Sequence, residues 1–525
     1  MFLADEQDLA NALSIFRAFK DVSGLSLNVS KCEAMWLGSF KNRQDYYYDF
    51  NWKTKIKILG VYFSNNTPAS KIEENYTNRI AKIKRLIAIW EKRDLSIMGK
   101  ILIVKTYLLS QLVYFMQAFI VPEKILIEIN RLLFRFIWKK KNNNKKAFEK
   151  VKRTIMCADY SFGGLKMIDV IQMQKAFVLQ WVPRLSSSKS EHNWAKIPRL
   201  IFSSHGRNLE CLYSNISSKR FKGLRFIKSL FWTEVLIAFL DNNDHSLNPE
   251  FNPMIWNNTN FLYNGSVLFF SEWAKKGIIK IQDLLANDSC ISYESIIEIL
   301  GNSPARPLEY ITVSSVVNAF IRKNRDISNN SNYLANTPIF RGKKITQARD
   351  FRKALNSQNN PVPCSVNFWK RKFNYKVTES DWKTAFVTTK ETRLRVLQWK
   401  LLHNIYPTNI MLSKMRITDN NYCSYCHGIV DYIEHFFFFC PNTREFWKQI
   451  ENYILGKHHI HLQLDITCIL FGIQNLNIFP TENKHAINNI ILIGKMCISI
   501  FKKTKKHASL FHLFEKEFQI RESNR

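Results

Sequence analysis

The stretch that decides how the C-terminal part of the chain folds reads Cys423-Ser424-Tyr425-Cys426-His427-Gly428-Ile429-Val430-Asp431-Tyr432-Ile433-Glu434-His435-Phe436-Phe437-Phe438-Phe439-Cys440. A Cys-x2-Cys pair places two thiols on one turn, and a histidine and a third cysteine follow shortly after. Such a set suits the tetrahedral coordination of zinc and leaves no position for a water molecule. We therefore predict a structural Zn²⁺ site formed by Cys423, Cys426, His435 and Cys440.

Two alternatives compete with this interpretation. Free cysteines are common in apolar cores, and the four phenylalanines of 436–439 indicate that the segment borders a core. His427 is a rival fourth ligand, but it is adjacent to Cys426 and would need a strained chelate. The remaining cysteines have no neighbours at metal-binding spacing and are predicted to be packing residues: Cys32, Cys157, Cys211, Cys290, Cys364, Cys468 and Cys497.

The chain is strongly basic and rich in apolar residues. Its 525 residues include 76 Lys+Arg against 43 Asp+Glu, a formal net charge of +33 at pH 7. A positive field of this size favours phosphate backbones or anionic membranes as partners. We find no clean amphipathic helix of the membrane-surface kind, so nucleic acid is the better prediction. A basic surface that is merely solvated is the alternative.

Composition also bounds the architecture and the compartment. Hydrophobic residues make up 46% of the chain, which predicts a folded protein of several domains. Ten cysteines are too few for a disulfide scaffold, and the N-terminus lacks a secretory signal, so we expect an intracellular protein of the nucleus and cytoplasm. The most membrane-like stretch, 101–121, is interrupted by Lys105, Gln111 and Gln117 and is better explained as buried helix than as a membrane span.

The spacing of apolar residues predicts a mainly α fold with small β elements, an α+β class. Residues 6–22 and a segment that begins near Ile72 repeat apolar side chains every three or four positions, which is typical of amphipathic helices. Residues 25–29 and 57–63 read as short extended pieces. The run 139–146 is a polar, basic loop.

The residues around the predicted zinc site resemble those of a known family. The cysteines are preceded by Leu397-Gln398-Trp399-Lys400-Leu401-Leu402-His403-Asn404-Ile405-Tyr406-Pro407-Thr408-Asn409 and followed by Glu434-His435-Phe436, Cys440-Pro441 and Trp447. This arrangement resembles the zinc-binding domain that follows reverse transcriptase in LINE-type, non-LTR retrotransposons. The retroviral zinc knuckle differs, because its second spacing is shorter.

The resemblance extends over most of the chain. It implies a palm remnant at 1–65, a thumb-like helical domain at 66–183, a connector at 184–375, the zinc-binding domain at 376–455 and a basic helical tail at 456–525. The motifs that carry it follow the family's order: Ser23-Gly24-Leu25 with Asn28 and Lys31, Ile58-Leu59-Gly60-Val61, Trp90, Leu95-Ser96, Gly99-Lys100, Tyr114, Phe162-Gly163-Gly164-Leu165, Ala176, Trp181, Trp273, Gly277-Ile278 and Asp283-Leu284.

The resemblance also implies a missing element. Reverse transcriptases transfer nucleotides with two metal ions held by palm aspartates, including a Tyr-x-Asp-Asp-like pair, but these 525 residues contain no Asp-Asp pair. In the family that pair falls just before the part resembling Met1-Phe2-Leu3, so we expect Mg²⁺ to bind only if the missing palm were present. Asp5-Glu6, the nearby carboxylate pair, reads as a loop or helix start.

We therefore expect a truncated, catalytically incomplete reverse transcriptase-like protein that binds RNA or DNA, its own template RNA above all, and acts on no small-molecule substrate. The alternative is that the gene's full product extends upstream as an active RNA-directed DNA polymerase. Without the palm aspartates, Lys31 keeps only a phosphate-contacting role. The predicted nucleic-acid contacts are Lys31, Arg79, Lys82, Lys84, Arg85, Lys100, Lys139, Lys140 and Lys141.

Overall fold

The computed structural model of the protein is mainly α-helical, with small two-stranded sheets. The predicted fold class, mainly α with small β elements, is therefore confirmed. The structure describes residues 3–45, 48–139, 148–186, 193–203, 216–222, 224, 227, 229–242, 254–286, 289–301, 307–323, 340, 345–357, 361–476, 479–504 and 509–523.

Most of the described chain lies in helices, and many of these pack through apolar side chains on one side of the helix. The helices are α1 (Glu6–Ser23), α2 (Glu74–Glu91), α3 (Ile97–Ile103), α4 (Ser110–Ala118), α5 (Glu123–Trp138), α6 (Arg153–Cys157), α7 (Val170–Leu179), α8 (Trp181–Ser186), α9 (Asn193–Ser203), α10 (Leu230–Asn242), α11 (Ser271–Lys275), α12 (Tyr293–Leu300), α13 (Pro307–Lys323), α14 (Ala348–Ser357), α15 (Cys364–Phe373), α16 (Glu379–Thr388), α17 (Thr392–Leu402), α18 (Asn409–Lys414), α19 (Pro441–His458), α20 (Ile466–Phe471), α21 (Thr481–Thr504) and α22 (Leu510–Ser523).

The strands are β1 (Glu33–Ala34), β2 (Asn51–Trp52), β3 (Lys55–Ile58), β4 (Val61–Ser64), β5 (Leu262–Tyr263), β6 (Ser266–Val267), β7 (Leu285–Ala286) and β8 (Ser289–Cys290). They pair in sequence order, β1 with β2 in parallel and the other pairs antiparallel. In the β3–β4 hairpin, Leu59 and Gly60 both have positive φ, 49° and 80°. Two successive positive φ values fit the tight turn whose twist matches that of the strands. The extended piece predicted at 57–63 is therefore two short strands, interrupted by the turn at Leu59 and Gly60.

The N-terminal helix α1 is capped at both ends. The Asp5 side chain caps its first turn, as the interpretation of Asp5 as a helix start requires, and Gly24 ends it in the left-handed region with φ 72°. The strand predicted at 25–29 is wrong. The Asn28 side chain instead caps a 3-10 turn at Val29–Lys31, and this local hydrogen bonding competes with the extended backbone that alternation predicts.

Helices α2 to α7 enclose one apolar core, which we call the N-terminal core. Helix α2 contributes Tyr76, Ile80 and the fully buried Ile83 from the stripe that its spacing predicts. Burial of one such side chain contributes about 1.5–3 kcal/mol, so the inner side of α2 is firmly held. Other buried members of this core are Leu108, Phe115, Leu133, Phe134, Phe136 and Met156.

Asn75 joins α2 to the β3–β4 hairpin. Its buried side chain accepts a hydrogen bond from Tyr62 N at 2.8 Å and donates to Tyr62 O at 2.9 Å, as a neighbouring strand would. The same amide nitrogen donates to Ala69 O at 3.1 Å. These bonds offset the cost of removing the amide from water, and they place the hairpin against the start of α2.

Two smaller apolar clusters lie between the N-terminal core and the last helices in sequence. The first includes α8, α10 and α14, with Trp232 and Phe239 buried in it. The second surrounds Trp256 and Trp273, and the Trp273 indole donates to the Glu309 carboxylate at 3.0 Å. These clusters describe packing, and the predicted domain boundaries stay a prediction.

Helices α15 to α17 and α19 to α22 share one large core, which we call the C-terminal core. Helix α21 runs through it, with Ile491 fully buried. A Cβ atom at Gly494 would lie 2.9 Å from the Trp447 ring, so α21 approaches α19 closely at this glycine. The last helix covers the core with Phe514 and Phe518. The metal-site segment and the C-terminal helices are therefore packed together.

A turn at Tyr160–Phe162 and the following Gly163 joins the two cores. The Gly163 carbonyl accepts hydrogen bonds from Trp399 Nε1 at 2.9 Å and from His403 Nε2 at 2.7 Å. Gly163 has φ 78°, and a Cβ atom there would lie 3.1 Å from the Trp382 ring, so both conformation and space require glycine. Two motifs that the sequence places far apart thus meet at one carbonyl.

Within the described residues, no single helix is long and apolar enough to cross a membrane. The pair Ile97–Leu108 and Ser110–Ala118 reaches the required length and composition only when taken together, and the two parts are bent by 49°. The apolar side chains Ile101, Leu108 and Phe115 of this pair belong to the N-terminal core. The buried-helix interpretation of 101–121 holds for these side chains, although the helix is broken.

Acidification should weaken the joint between the two cores, which is the hydrogen bonding of Trp399 and His403 to the Gly163 carbonyl. Burial lowers the pKa of His403 from 6.5 to about 4, so between these values the unfolded chain binds more protons than the folded one. Stability is therefore full above the unfolded pKa and falls as pH falls through this window, by about 1 kcal/mol between pH 7 and pH 5.5. Urea unfolding of the wild type and His403→Gln across this range would measure the effect.

The glutamine amide can still donate to Gly163 O but does not titrate, so the variant should show a flatter pH profile. His461→Gln, at an exposed histidine, is the matched control and should keep the wild-type profile. Identical profiles for wild type and His403→Gln would contradict the account of the joint.

Candidate metal centre

The Cys-x2-Cys segment forms a tight turn. The Cys423 amide donates to Ile429 O at 2.7 Å, and the His427 amide donates to Cys423 O at 3.0 Å. His427 lies in the left-handed region with φ 55°, which lets the chain reverse there. An antiparallel bridge between Tyr422 and Val430 closes the base of the turn. These backbone hydrogen bonds therefore hold Cys423 and Cys426 on one turn without help from a metal ion.

The second pair of candidate ligands lies at the two ends of a π-helical turn, His435–Phe439. The Cys440 amide donates to His435 O at 2.8 Å across this turn. Cys440 then directly precedes α19, whose first residue is Pro441. Proline is well suited to that position, because the amide at a helix start needs no helical partner. The sharp change from π turn to α-helix keeps His435 and Cys440 close together.

The four predicted ligands come together in the structure. Their candidate ligand atoms all lie within 4.8 Å of one another. Cys423 Sγ lies 3.9 Å from Cys440 Sγ, and Cys426 Sγ lies 3.3 Å from His435 Nε2. Tetrahedral zinc with bonds of about 2.3 Å to sulfur and about 2.0–2.1 Å to nitrogen requires separations of about 3.8 Å between sulfurs and about 3.5 Å between sulfur and nitrogen. The side chains present therefore fit a zinc ion.

A hydrogen bond, and with it a proton, lies between the two buried sulfurs Cys423 Sγ and Cys440 Sγ. The hydrogen bond between Cys423 and Cys440 lowers the pKa of Cys423 and raises the pKa of Cys440. A divalent cation would replace this proton and stabilise both thiolates. With three sulfurs and one nitrogen the shell is closed, so the geometry suits a structural ion and not one that activates water.

The site lies at the edge of the C-terminal core. Cys423 and Cys440 are fully buried, and His435 is only 4% exposed. The Tyr425 ring stacks on Phe436 with centroids 5.0 Å apart, and its hydroxyl donates to Ile498 O in α21. Loss of the metal would therefore disturb the packing of the C-terminal helices as well as the local turn.

A buried ion pair between Asp431 and Lys502 holds the segment that joins Cys426 to His435. Asp431 is fully buried, and its carboxylate accepts from Lys502 Nζ at 2.7 Å and from Asn409 N at 2.6 Å. Removal of one partner of such a pair typically costs about 3–5 kcal/mol. Neither Asp431 nor Lys502 is among the residues predicted from the sequence. A carboxylate between the two halves of the ligand set was the available signal for Asp431, but nothing in the sequence pairs it with a lysine in α21.

The alternatives for the site have clear outcomes. His427 is exposed on its turn and lies outside the cluster of four candidate ligands. Burial raises the pKa of the Cys157, Cys468 and Cys497 thiols to about 12, which keeps them protonated, as packing residues should be. Cys211 lies outside the described residues.

The four residues of α2 that are predicted to contact nucleic acid occupy different environments. Lys82 and Arg85 are exposed, and Lys84 pairs with Glu128 at 3.2 Å. Arg79 is partly buried, donates to Asn75 O and Gly60 O, and lies 4.9 Å from the centroid of the Phe115 ring. Lys82 and Arg85 are therefore the α2 cations best placed to meet a phosphate.

The remaining predicted contacts are spread over the chain. Lys31 is exposed at the end of its 3-10 turn. Lys100 is 8% exposed and donates to Lys139 O, and Lys139 Nζ lies 2.7 Å from Glu91. The structure thus places Lys100 inside the fold, where a phosphate would reach it only after rearrangement. Lys140 and Lys141 lie outside the described residues.

A comparison with protein families agrees with the geometry of the metal centre. Residues 364–447 match the family described as zinc-binding in reverse transcriptase. The match includes all four candidate ligands as well as Trp399 and His403 of the joint. This part of the chain is therefore related to the zinc-binding region of reverse transcriptases.

Cys423→Ser should release zinc and destabilise the C-terminal core. Serine is a poor zinc ligand, and the loss of one of four bonds opens a shell whose binding energy supports folding. We expect about one zinc per wild-type chain by elemental analysis, less than about half an equivalent in the variant, and a lower melting temperature. His435→Ala should behave in the same way.

Cys364→Ser is the matched control, because Cys364 is an exposed free cysteine within the family match. It should keep its zinc and its melting temperature. A Cys423→Ser protein with full zinc content would contradict the ligand assignment.

Proposed function

We propose that the protein binds nucleic acid, RNA above all, through a basic surface that includes the outer face of α2. One observation carries the proposal: Lys82 and Arg85 are exposed on a helix whose opposite side is locked into the N-terminal core by Tyr76, Ile80 and Ile83. Because packing fixes the backbone of α2, contact of these cations with phosphates requires ordering of their side chains only.

The charge of the whole chain supports the same proposal. A formal net charge of +33 attracts polyanions over distances of about a Debye length. Each phosphate neutralised by a lysine or arginine releases condensed counterions, which makes binding strongly salt-dependent. The zinc ion in this proposal has a structural role, because its closed shell leaves no position for a substrate.

The family relationship supports a finer proposal. The match at 364–447 and the order of the motifs along the chain support a protein of a LINE-type, non-LTR retrotransposon. We propose that its own template RNA is the natural partner and that this chain binds without transferring nucleotides.

Binding should depend on α2 in a way that salt titration can measure. For a single-stranded RNA, Lys82→Ala combined with Arg85→Ala should weaken binding and lower the slope of log K against log salt by about 1 for each lost phosphate contact. Fluorescence anisotropy between about 50 and about 200 mM salt covers the useful range. Lys219→Ala with Arg220→Ala, an exposed pair of the same composition, should leave the slope unchanged.

Wild-type protein that fails to bind RNA at low salt would overturn the proposal. An equal loss of slope in both double variants would attribute binding to net charge alone and remove the assignment to α2.

Polymerase activity is the second candidate function, because the matched family is a domain of reverse transcriptases. These 525 residues contain no Asp-Asp pair to hold two catalytic metal ions. A primer-extension assay with Mg²⁺ should therefore give no product with this chain. Product formation would favour an RNA-directed DNA polymerase, and an in-frame Asp-Asp motif in the genomic sequence upstream of Met1 would extend the gene to that function.

A further inference from the structure

The cysteine turn presents aromatic side chains to solvent beside the buried metal site. Tyr422 is 52% exposed, Tyr432 is 44% exposed and Ile429 is 52% exposed. We call these three residues the zinc-loop face. Exposed apolar side chains that lie together on a folded domain can mark interaction sites, and these three flank one turn.

The exposed residues of the zinc-loop face alternate with buried ones along the chain. Exposed Tyr422 is followed by the fully buried Cys423, and exposed Tyr432 lies between the buried Asp431 and Ile433. The Tyr432 amide donates to Val430 O at 2.9 Å, so the chain turns tightly at Asp431. The buried residues belong to the metal site, its ion pair and the core, and the two tyrosines lie at the surface.

The backbone at both tyrosines is held in place. The backbone carbonyl of Tyr422 accepts a hydrogen bond from the Asn409 side chain at 2.6 Å, and the Tyr422–Val430 bridge joins the two arms of the turn. Asp431, directly before Tyr432, is held by Asn409 and Lys502. On a fixed backbone a tyrosine side chain has few torsions left to restrict, so it loses little entropy when a base stacks on its ring.

The exposed charges close to the zinc-loop face in sequence favour an anionic partner. Lys372 Nζ lies 5.0 Å from the centroid of the Tyr432 ring and also pairs with Glu434. Asp431 is paired with Lys502, so both carboxylates and both lysines are neutralised within the protein. Among the described exposed charges of 370–371, next to Lys372, and of 414–419, shortly before Tyr422, cations outnumber the single carboxylate, Asp419: these cations are Lys370, Arg371, Lys414 and Arg416.

We infer that the zinc-loop face binds unpaired bases of a single-stranded nucleic acid, with Tyr422 and Tyr432 as stacking platforms. Bases in a duplex are stacked on each other and cannot cover a tyrosine ring, whereas unpaired bases can. The exposed cations close to the tyrosines in sequence would hold the adjoining phosphates. This inference rests on the proposed nucleic-acid binding and adds a selectivity for single strands, which the phosphate contacts of α2 alone would not provide.

The test compares two labelled probes on the full chain at one salt concentration. One is a single-stranded RNA of C and U about 20 nucleotides long, and the other is an RNA duplex of equal length. Tyr422→Ala combined with Tyr432→Ala should weaken binding of the single strand by about tenfold or more and that of the duplex by less than about twofold. The double Phe variant keeps both rings and should bind as wild type does.

Controls separate stacking from folding. Tyr263→Ala removes an exposed tyrosine of β5, 42% exposed, and should change neither affinity. The zinc content and melting temperature of the double Ala variant should match those of wild type, because both rings are outside the core. If its zinc is lost, the single variants Tyr422→Ala and Tyr432→Ala repeat the comparison, and each should weaken single-strand binding alone.

The outcomes also separate this inference from the proposed function. Wild-type protein that binds neither probe would remove the proposed function and this inference with it. Binding of both probes that the alanine variants leave unchanged, or weaken equally, would overturn the stacking site alone. In the unchanged case the face would be assigned to a protein partner, while nucleic-acid binding through α2 would stand.

Discussion

Three sulfur atoms and one imidazole nitrogen lie within 4.8 Å of one another at the edge of an apolar core. This crowding is the constraint on which the C-terminal half of the molecule depends. Buried thiolates without a cation repel each other, and buried thiols leave weak hydrogen bonds in place of strong coordinate ones. A zinc ion would remove both problems and fix the π turn against the cysteine turn. Because Cys423 and Cys440 are members of the C-terminal core, metal binding would stabilise the same structure as the packing does.

The metal centre is linked to the rest of the protein through the Gly163 carbonyl. Trp399 and His403 both bond to it, and Trp399 also packs in the N-terminal core. Thus α17 belongs to both cores at once. The N-terminal core, to which Trp399 belongs, also holds the inner side of α2, so the proposed phosphate contacts and the metal centre are connected through packed helices.

Several of these features were predictable from local sequence. Ligand spacing identified Cys423, Cys426, His435 and Cys440 because a metal shell requires few residues at short separation. The apolar period of α2 identified its buried stripe for a similar reason. The prediction of a strand at 25–29 is wrong because the Asn28 side chain caps a turn there. The alternation of apolar and polar residues carries no information about such a cap.

Long-range features were beyond prediction from one sequence. The Asp431–Lys502 ion pair and the contacts to Gly163 join residues that no local pattern relates, and each depends on how the helices pack. Lys100 shows the same limit of prediction from sequence. It is predicted as a phosphate contact, but its ammonium group lies inside the fold. Charge alone therefore overestimates the number of cations available to a phosphate.

The most direct test of the account is X-ray absorption at the zinc edge on the purified, full-length protein. We expect one zinc per chain with three sulfur ligands at about 2.3 Å and one nitrogen ligand at about 2.0–2.1 Å. A folded protein without zinc, or a zinc shell with fewer than three sulfurs or with bound water, would contradict the account that a closed site of three cysteines and His435 holds this part of the molecule together.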